Sequence, residues 1–495
     1  MTAPGAPLRL RLGHQTLDAW GGAVRELRVV RKLSLPSACE LGLVGDGPLP
    51  VTIGDSLQVE EWSGLPLFDG EVTALSVEYL PDGGREVRVR AYDRLHRLRK
   101  SMPARTLDGQ GLRDVAQALS DRLGVRLDLD REAPPRVWTA QVRQSDLELL
   151  TALSVQNGRH FQLQGDCLEF LGPAGNGSRV VLELGRNLLE ARIDSNVDAA
   201  CPEVEVYGWN ALQVTAVQGR ATAPSRPAPL ETAKVEALGA GVRKLVGLPV
   251  DSDQEAQWAA QAELDWRSGA SHTCWGVCDG DGRLRPGSGV RLGGLDAPLN
   301  GEFVLTEVVH RVEAGTGYVT EFSSRPNPPR GPSAPPAATL GVVASVDDPA
   351  GLGRVQVRLP AQGDLLSGWL QVLSVAAGAE RGLMALPDVA DQVLVLLPHG
   401  DGSPGILLGG LYGQAGLPDS GVVEGRARRL TLRSAAGQQV VLDAAARTLV
   451  LEDGQGSVVE LTPEHVRVHA ARRLVLEAPG QEVVIRGERI NFERA

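Results

Sequence analysis

Leu430-Thr-Leu432, Val440-Val-Leu442, Leu449-Val-Leu451, Val459-Glu-Leu461, Val466-Arg-Val468, Leu474-Val-Leu476, Val483-Val-Ile485 and Ile490-Asn-Phe492 follow one another at the end of a 495-residue chain. Each is a pair of apolar residues one residue apart, and the pairs return every seven to ten residues. That alternation is the period of a strand with one buried face. Turn formers separate the pairs: Ala436-Gly437, Asp453-Gly454, Pro479-Gly480 and Arg486-Gly487. Two inward residues per strand make a poor core for one chain, and a lone hairpin is marginal in water. Similar units must therefore stack. Three such chains around a common axis would place Leu430, Leu432, Val440, Leu442, Leu449, Leu451, Val459, Leu461, Val466, Val468, Leu474, Leu476, Val483 and Ile485 in one dry column. A β-sandwich or a small open solenoid is the other way to cover the same pairs.

Working back from this tail, bulk properties limit the classes. The length suffices for three or four domains. Few aromatics and many glycines and prolines favour short strands and turns. The net charge of −11 comes with no basic block, which argues against nucleic acid as a partner. Five scattered cysteines, Cys39, Cys167, Cys201, Cys274 and Cys278, suit a reducing compartment and not a disulfide framework. The first residues show no secretory leader, and no run reaches the ~18 apolar residues of a membrane helix. The expectation is synthesis in the cytoplasm without a signal peptide.

Residues 1–104 alternate as strands and predict a small barrel. Residues 105–180 switch to helical spacing at Leu112, Val115, Ala116, Leu119 and Leu123, with Gly124 as the stop. A second helix runs from Leu147 to Asn157, opened by a Ser145/Glu148 capping box. Residues 181–325 return to strands around a helix near Asp253–Ser268 and predict a second barrel. Residues 326–338 are a proline-rich linker. Residues 339–413 hold about five short strands, which suit a closed barrel of the OB type. Residues 426–495 form the tail. The fold class is therefore mainly β with a small α/β insertion.

From Gly353-Arg-Val-Gln-Val-Arg-Leu-Pro360 through Trp369-Leu-Gln-Val372, Leu386-Pro-Asp-Val-Ala-Asp-Gln392 and Gly400-Asp-Gly-Ser-Pro-Gly405, the chain resembles the OB domain of VgrG and phage baseplate spikes. Ala390 stands where that pattern carries glycine. Gln144-Ser-Asp-Leu-Glu-Leu-Leu150, Val204-Glu-Val-Tyr-Gly-Trp209, Leu284-Arg-Pro-Gly-Ser288 and Thr306-Glu-Val-Val-His310 resemble the late-control-D type of tail hub. The resemblance covers nearly the whole chain. It implies a hub of two β-barrels, an OB-fold barrel, and a C-terminal trimeric intertwined β-helix needle. It also implies a homotrimer that adapts a sixfold inner tube to a threefold needle, among other baseplate proteins. A PAAR-type tip protein would cap the needle, and Ile490, Asn491, Phe492 and Glu493 are the predicted docking surface. The target membrane is met transiently on firing. The short needle, with nothing after it, points to an extracellular contractile system or phage tail-like particle, with a type VI secretion spike as the alternative.

No catalytic, cofactor or metal residues are expected. His465 and His469 could ligate zinc on a helix, but here they fall on a strand beside the inward Val466 and Val468 and so point outward. Cys274-Trp-Gly-Val-Cys278 has no second pair. Asp279-Gly-Asp-Gly282 lacks the rest of a calcium loop. Gly239-Ala-Gly241 lacks the third glycine of a dinucleotide loop, and there is no Gly-x-Ser-x-Gly elbow. A cell-wall- or polysaccharide-degrading enzyme is the competing class. The gap from Tyr412 to Arg426 is too short to hold such a domain.

Overall fold

The computed structural model describes residues 8–493 apart from 14, 19–23, 45–50, 82–83, 130–137, 197, 199, 227–240, 314–316, 328–335, 399–404 and 415. Most of the proline-rich linker, Gly239-Ala240 and the run from Gly400 to Pro404 lie outside the described residues. The chain divides into two compact units, Met1–Gly410 and Leu411–Ala495. No described helix is long and apolar enough to cross a membrane.

In the first unit the two strand-rich regions share one sheet of eleven strands. Leu188–Ser195, His272–Asp279, Gly317–Ser323 and Glu307–Glu313 come from the second region. Val24–Lys32, Ala38–Val44, Arg85–Tyr92, Pro66–Tyr79, Ser56–Glu61, Leu8–Leu12 and Gln15–Asp18 continue the sheet from the first. The join is the antiparallel pairing of Glu307–Glu313 with Val24–Lys32. Alternation does what the sequence predicts: Leu27, Val29, Leu41, Val87 and Val89 enter one core, which Val312 of the second region also enters. A second core gathers Val180, Leu182, Leu284, Val290, Phe303 and Phe322.

Between these regions lies the α/β insertion. Helix α1 spans Leu112–Leu123 and ends on Gly124 in the left-handed region at φ +67°, where glycine has no Cβ to clash. Helix α2 spans Asp146–Gln156, and the Ser145/Glu148 capping box is formed. Asp146 is fully buried and accepts hydrogen bonds from Arg105 (2.9 Å), Arg122 (2.5 Å) and Gln141 (3.0 Å). Burial alone would raise its carboxyl; hydrogen bonds from Gln141, Arg122 and Ser101 outweigh that and leave it below the usual range.

Helix α3, Asp253–Ser271, covers the sheet made by Val204–Asn210, Thr215–Ala221 and Arg243–Leu245. It approaches so closely that a Cβ on Gly219 would sit 2.1 Å from the Ala256 carbonyl carbon.

The OB barrel orders its strands Leu365–Leu366, Gln356–Leu359, Ala337–Ser345, Gln392–Leu397, Ile406–Leu411, Gln371–Val372. A two-way bridge between Val355 and Leu370 (3.0 and 2.8 Å) joins the start of Gln356–Leu359 to the start of Gln371–Val372, the last strand of that order, and closes the barrel. Val357, Leu359, Val393, Val395 and Leu407 fill it, and Ala140 of the insertion packs on the same core. Asp348 holds the loop before Gln356 by accepting from the Ala350, Leu352 and Arg354 backbone and from the Arg354 guanidinium. The Arg354 side chain, first among these, keeps that carboxyl well below its ordinary range.

Candidate functional site

The second unit is where the sequence places function. Its strands Arg429–Arg433, Gln439–Asp443, Thr448–Glu452, Val458–Leu461 and Val466–His469 form one antiparallel meander, each paired to the next. Every turn opens on a side chain that accepts from the backbone within it. Ser434 Oγ accepts from Gln438, Asp443 from Ala445 and Ala446, Asp453 from Gln455 and Ser457, and Thr462 from Glu464 and His465. Such side-chain acceptors mimic a backbone turn. The start of the meander is held by Asp419, which accepts from Arg429 (2.9 and 2.7 Å) and Thr431 (2.9 Å).

The register lines up the predicted inward residues. Leu430, Leu442, Leu449, Leu461 and Val466 are successive cross-strand partners. So are Leu432, Val440, Leu451, Val459 and Val468. Partners across a ladder, and residues two apart along a strand, share a face. All ten therefore lie on one face in two parallel rows. The other face carries Thr431, Val441, Val450, Glu460 and Arg467 in its middle row, flanked by charged and polar groups and by Val458. Valines 441 and 450 make that face less uniformly polar than expected.

Within the unit the apolar rows are only partly covered: Val440, Leu449 and Val459 are half-buried and the other seven are exposed. None of the ten is buried; Leu430 is 60% exposed and Val466 68%. All five buried cores of the molecule lie before residue 411. Beyond His469 the described residues form no further strand, so Leu474, Leu476, Val483 and Ile485 have no in-chain ladder. Ile490, Asn491, Phe492 and Glu493 are exposed, Phe492 at 88%. His469 lies on the face opposite Val466 and Val468, whereas His465 precedes the strand and contacts Thr462 at 3.2 Å. Cys274 and Cys278 are buried on one strand, and burial pushes both thiols up to about 12, which makes them inert. Asp281 closes its turn by binding Arg283.

Residues 64–314, just over half of the chain, match the family model of the Alg8 N-terminal domain. Residues 339–412 match that of the type VI secretion system/phage-baseplate injector OB domain. The chain belongs to the Alg8 N-terminal domain family and is a VgrG-like hub-and-spike protein. No curated protein matches it by sequence.

Solved structures share the fold of this hub-and-spike chain. A type VI secretion component of Escherichia coli, described as similar to the T4 bacteriophage tail proteins gp27 and gp5, matches at TM-score 0.52 and 16% identity. The match covers 82% of this chain and 99% of that one. The Francisella PdpA-VgrG complex, half-lidded, matches at 0.53 and 8%, over 94% and 87% of the two chains. The 43 kDa tail protein of prophage MuSo2 from Shewanella oneidensis matches at 0.51 and 16%, over 64% and 97%. A share of 94% extends well into residues 411–495, so the likeness takes in the tail as well as the hub.

Proposed function

We propose that the chain is the central spike of a contractile injection system, of the extracellular or phage tail-like kind, and that it acts as a homotrimer. Its role is structural, as a hub and spike in a baseplate. The observation that carries the reading is the pair of aligned, only partly covered apolar rows from Leu430 to Val468. Three copies turned inward would cover one another's rows, because most of each row is exposed in a single chain. Full burial of a Val or Leu is worth roughly 1.5–3 kcal/mol, and threefold symmetry counts each position three times.

The spike then has two parts. From 429 to 469 each chain pairs its own strands, so each copy would supply one wall of a three-sided prism. From 470 to 493 no in-chain partner exists among the described residues, so strand pairing there runs between chains and intertwines them. Such a rod is stiff along its axis and leaves no sticky edge. The exposed end from Ile490 to Glu493 would seat a PAAR-type tip protein. Inner tube and baseplate proteins would contact the hub, and the target membrane is met only on firing. The chain does no chemistry in this reading and binds no nucleic acid. A type VI secretion spike is the second reading, favoured by the injector OB domain at 339–412.

The test is light scattering on the purified protein. Wild type is expected as a trimer, and Leu449→Asp with Leu476→Asp as a monomer with the hub still folded. A stable trimer from that double variant removes the inward assignment. Deleting residues 490–495 should lose the tip protein and keep the trimer. The same preparations should release no fragments from peptidoglycan.

A further inference from the structure

The outer face of a small sheet in the hub holds a cluster of arginines that nothing so far uses. Arg179–Glu183, Gly289–Gly293 and Gly301–Val304 form that sheet, and its inner side feeds the second core. On the outside lies a groove of about 640 Å³ lined by Arg179, Arg226, Arg291 and Glu302. Gly177 and Gly289 keep its floor low, and no aromatic residue lines it.

Its three cations are poorly matched by the acids present. Arg179 reaches Glu302 at 3.5 Å, with both side chains largely in water. Arg226 donates to the Glu302 carbonyl at 2.7 Å, a neutral acceptor. Arg291 stands directly across from Glu302 and forms no ion pair with any described residue. Among the described residues, one carboxylate thus faces three guanidinium groups.

The geometry is fixed in advance. Ser225, next to Arg226, donates through its backbone N (2.6 Å) and Oγ (2.8 Å) to the two oxygens of Asp265 on helix α3. Gln261 binds both Asp265 (3.1 Å) and the Ala223 carbonyl (3.0 Å). Arg226 is consequently held over the groove and half-buried there, and this burial keeps its guanidinium below its ordinary pKa. A partly desolvated cation with spare donors gains from an added anion.

We propose that this groove takes an extended acidic peptide segment of a partner protein, with successive carboxylates on Arg291, Arg179 and Arg226. A peptide fits better than a nucleic acid. Single strands are bound on aromatic platforms, which the groove lacks. The site lies wholly in the first unit and stands whether or not the tail trimerises.

Fluorescence anisotropy on the full chain tests it, with a short labelled Glu-Gly repeat peptide as the probe. A Gln-Gly repeat and a charge-matched oligothymidylate are the competitors. The acidic peptide should bind, and should weaken as salt rises. Arg291→Ala and Arg179→Ala should each weaken it about tenfold, the scale of one charge-assisted contact. Both side chains are exposed, so the variants should keep the wild-type circular dichroism and melting point. Arg226→Lys, which keeps the charge and loses the fork, should weaken binding less than Arg226→Ala. Unchanged affinity in Arg291→Ala, equal binding of the Gln-Gly peptide, or tighter binding of the oligothymidylate each overturns the proposal.

Discussion

Two sheets in this molecule follow the same rule and end differently. In the hub, Leu27 and Val29 alternate with Arg28 and Val30, and both are covered to 1% exposure or less. In the tail, Leu430 and Leu432 alternate with Thr431 just as regularly, yet both stay more than half exposed. Pattern alone therefore does not decide burial. The hub sheet has eleven strands, with layers from the same chain to close on. The tail meander has five strands of four or five residues each and no second layer among the described residues. A face that its own chain cannot cover is an instruction to associate.

The largest expected effect puts a charge into each sheet. Val29→Asp places an unpaired carboxylate in a closed core and should cost roughly 4 kcal/mol or more, enough to unfold the hub or leave it marginal. Val440→Asp sits at the equivalent alternation in the tail. It should leave the hub's melting transition in place and remove only the association. Circular dichroism melts paired with light scattering separate the two outcomes. Equal loss of hub folding from both changes would mean that the tail face is covered by its own chain.

Cutting the chain after His469 sharpens the comparison inside the tail. The meander takes all its strand pairing from within, so the shortened protein should still trimerise through its apolar rows, with a lower melting temperature for the tail. A monomer would show that the segment from 470 onward, with Leu474, Leu476, Val483 and Ile485, supplies the deciding contacts.

Much of this was legible from local signals. The Ser145/Glu148 capping box, the stop at Gly124 and the period-2 runs of the OB barrel lie within a few residues of their partners, so spacing reveals them. The join of 307–313 to 24–32 was not legible, because no local feature marks which of many alternating strands will pair. The arginine groove was hidden for the same reason, being assembled from positions 179, 226 and 291. Beside Asp453-Gly454 the tail turns carry a further readable signal: Ser434, Asp443 and Thr462 each follow an apolar pair by one or two residues. The apolar rows were readable because alternation fixes the face, and the register adds only their order.

A buried histidine offers a smaller, graded test of the hub alone. His310 accepts or donates at Nδ1 with Tyr318 (3.0 Å) and Thr320 (3.2 Å). Burial, then Arg31, pushes it down to about 3, with Asp281 opposing. The unfolded chain binds this proton near pH 6.5 and the folded chain does not, so stability falls as pH drops from 6.5 toward 3. His160, lowered to about 4 by burial, acts in the same direction. Asp93, raised by burial to about 6, acts in the opposite one, contributing stability below about pH 4 that is lost as pH rises through 6. Among its described residues the tail has no comparable buried group. In urea melts, the stability of wild type relative to His310→Phe should therefore fall by about 1.4 kcal/mol per pH unit between 6 and 4. A difference independent of pH would show that the imidazole titrates normally in the folded hub.

The smallest effect sets one backbone feature in both units. Ala390 in the OB barrel has φ +73°, and Arg447 in a tail turn has φ +56°. Both lie in the left-handed region, where a side chain costs about 1–2 kcal/mol relative to a relaxed backbone and glycine does not. That strain explains why glycine is usual where Ala390 stands. Glycine also gains freedom in the unfolded chain, which takes back part of the benefit. Ala390→Gly should therefore stabilise the barrel by about 1 kcal/mol or less, read as a higher urea midpoint with unchanged slope. Arg447→Gly relieves the same strain at an exposed turn outside any closed core. It should leave the hub midpoint where it was and alter only the tail's own melting. If Ala390→Gly lowered the midpoint instead, the tight turn into Gln392–Leu397 would depend on contacts of the alanine methyl, and the closed barrel would be tuned by packing where the open sheet is tuned by its turns.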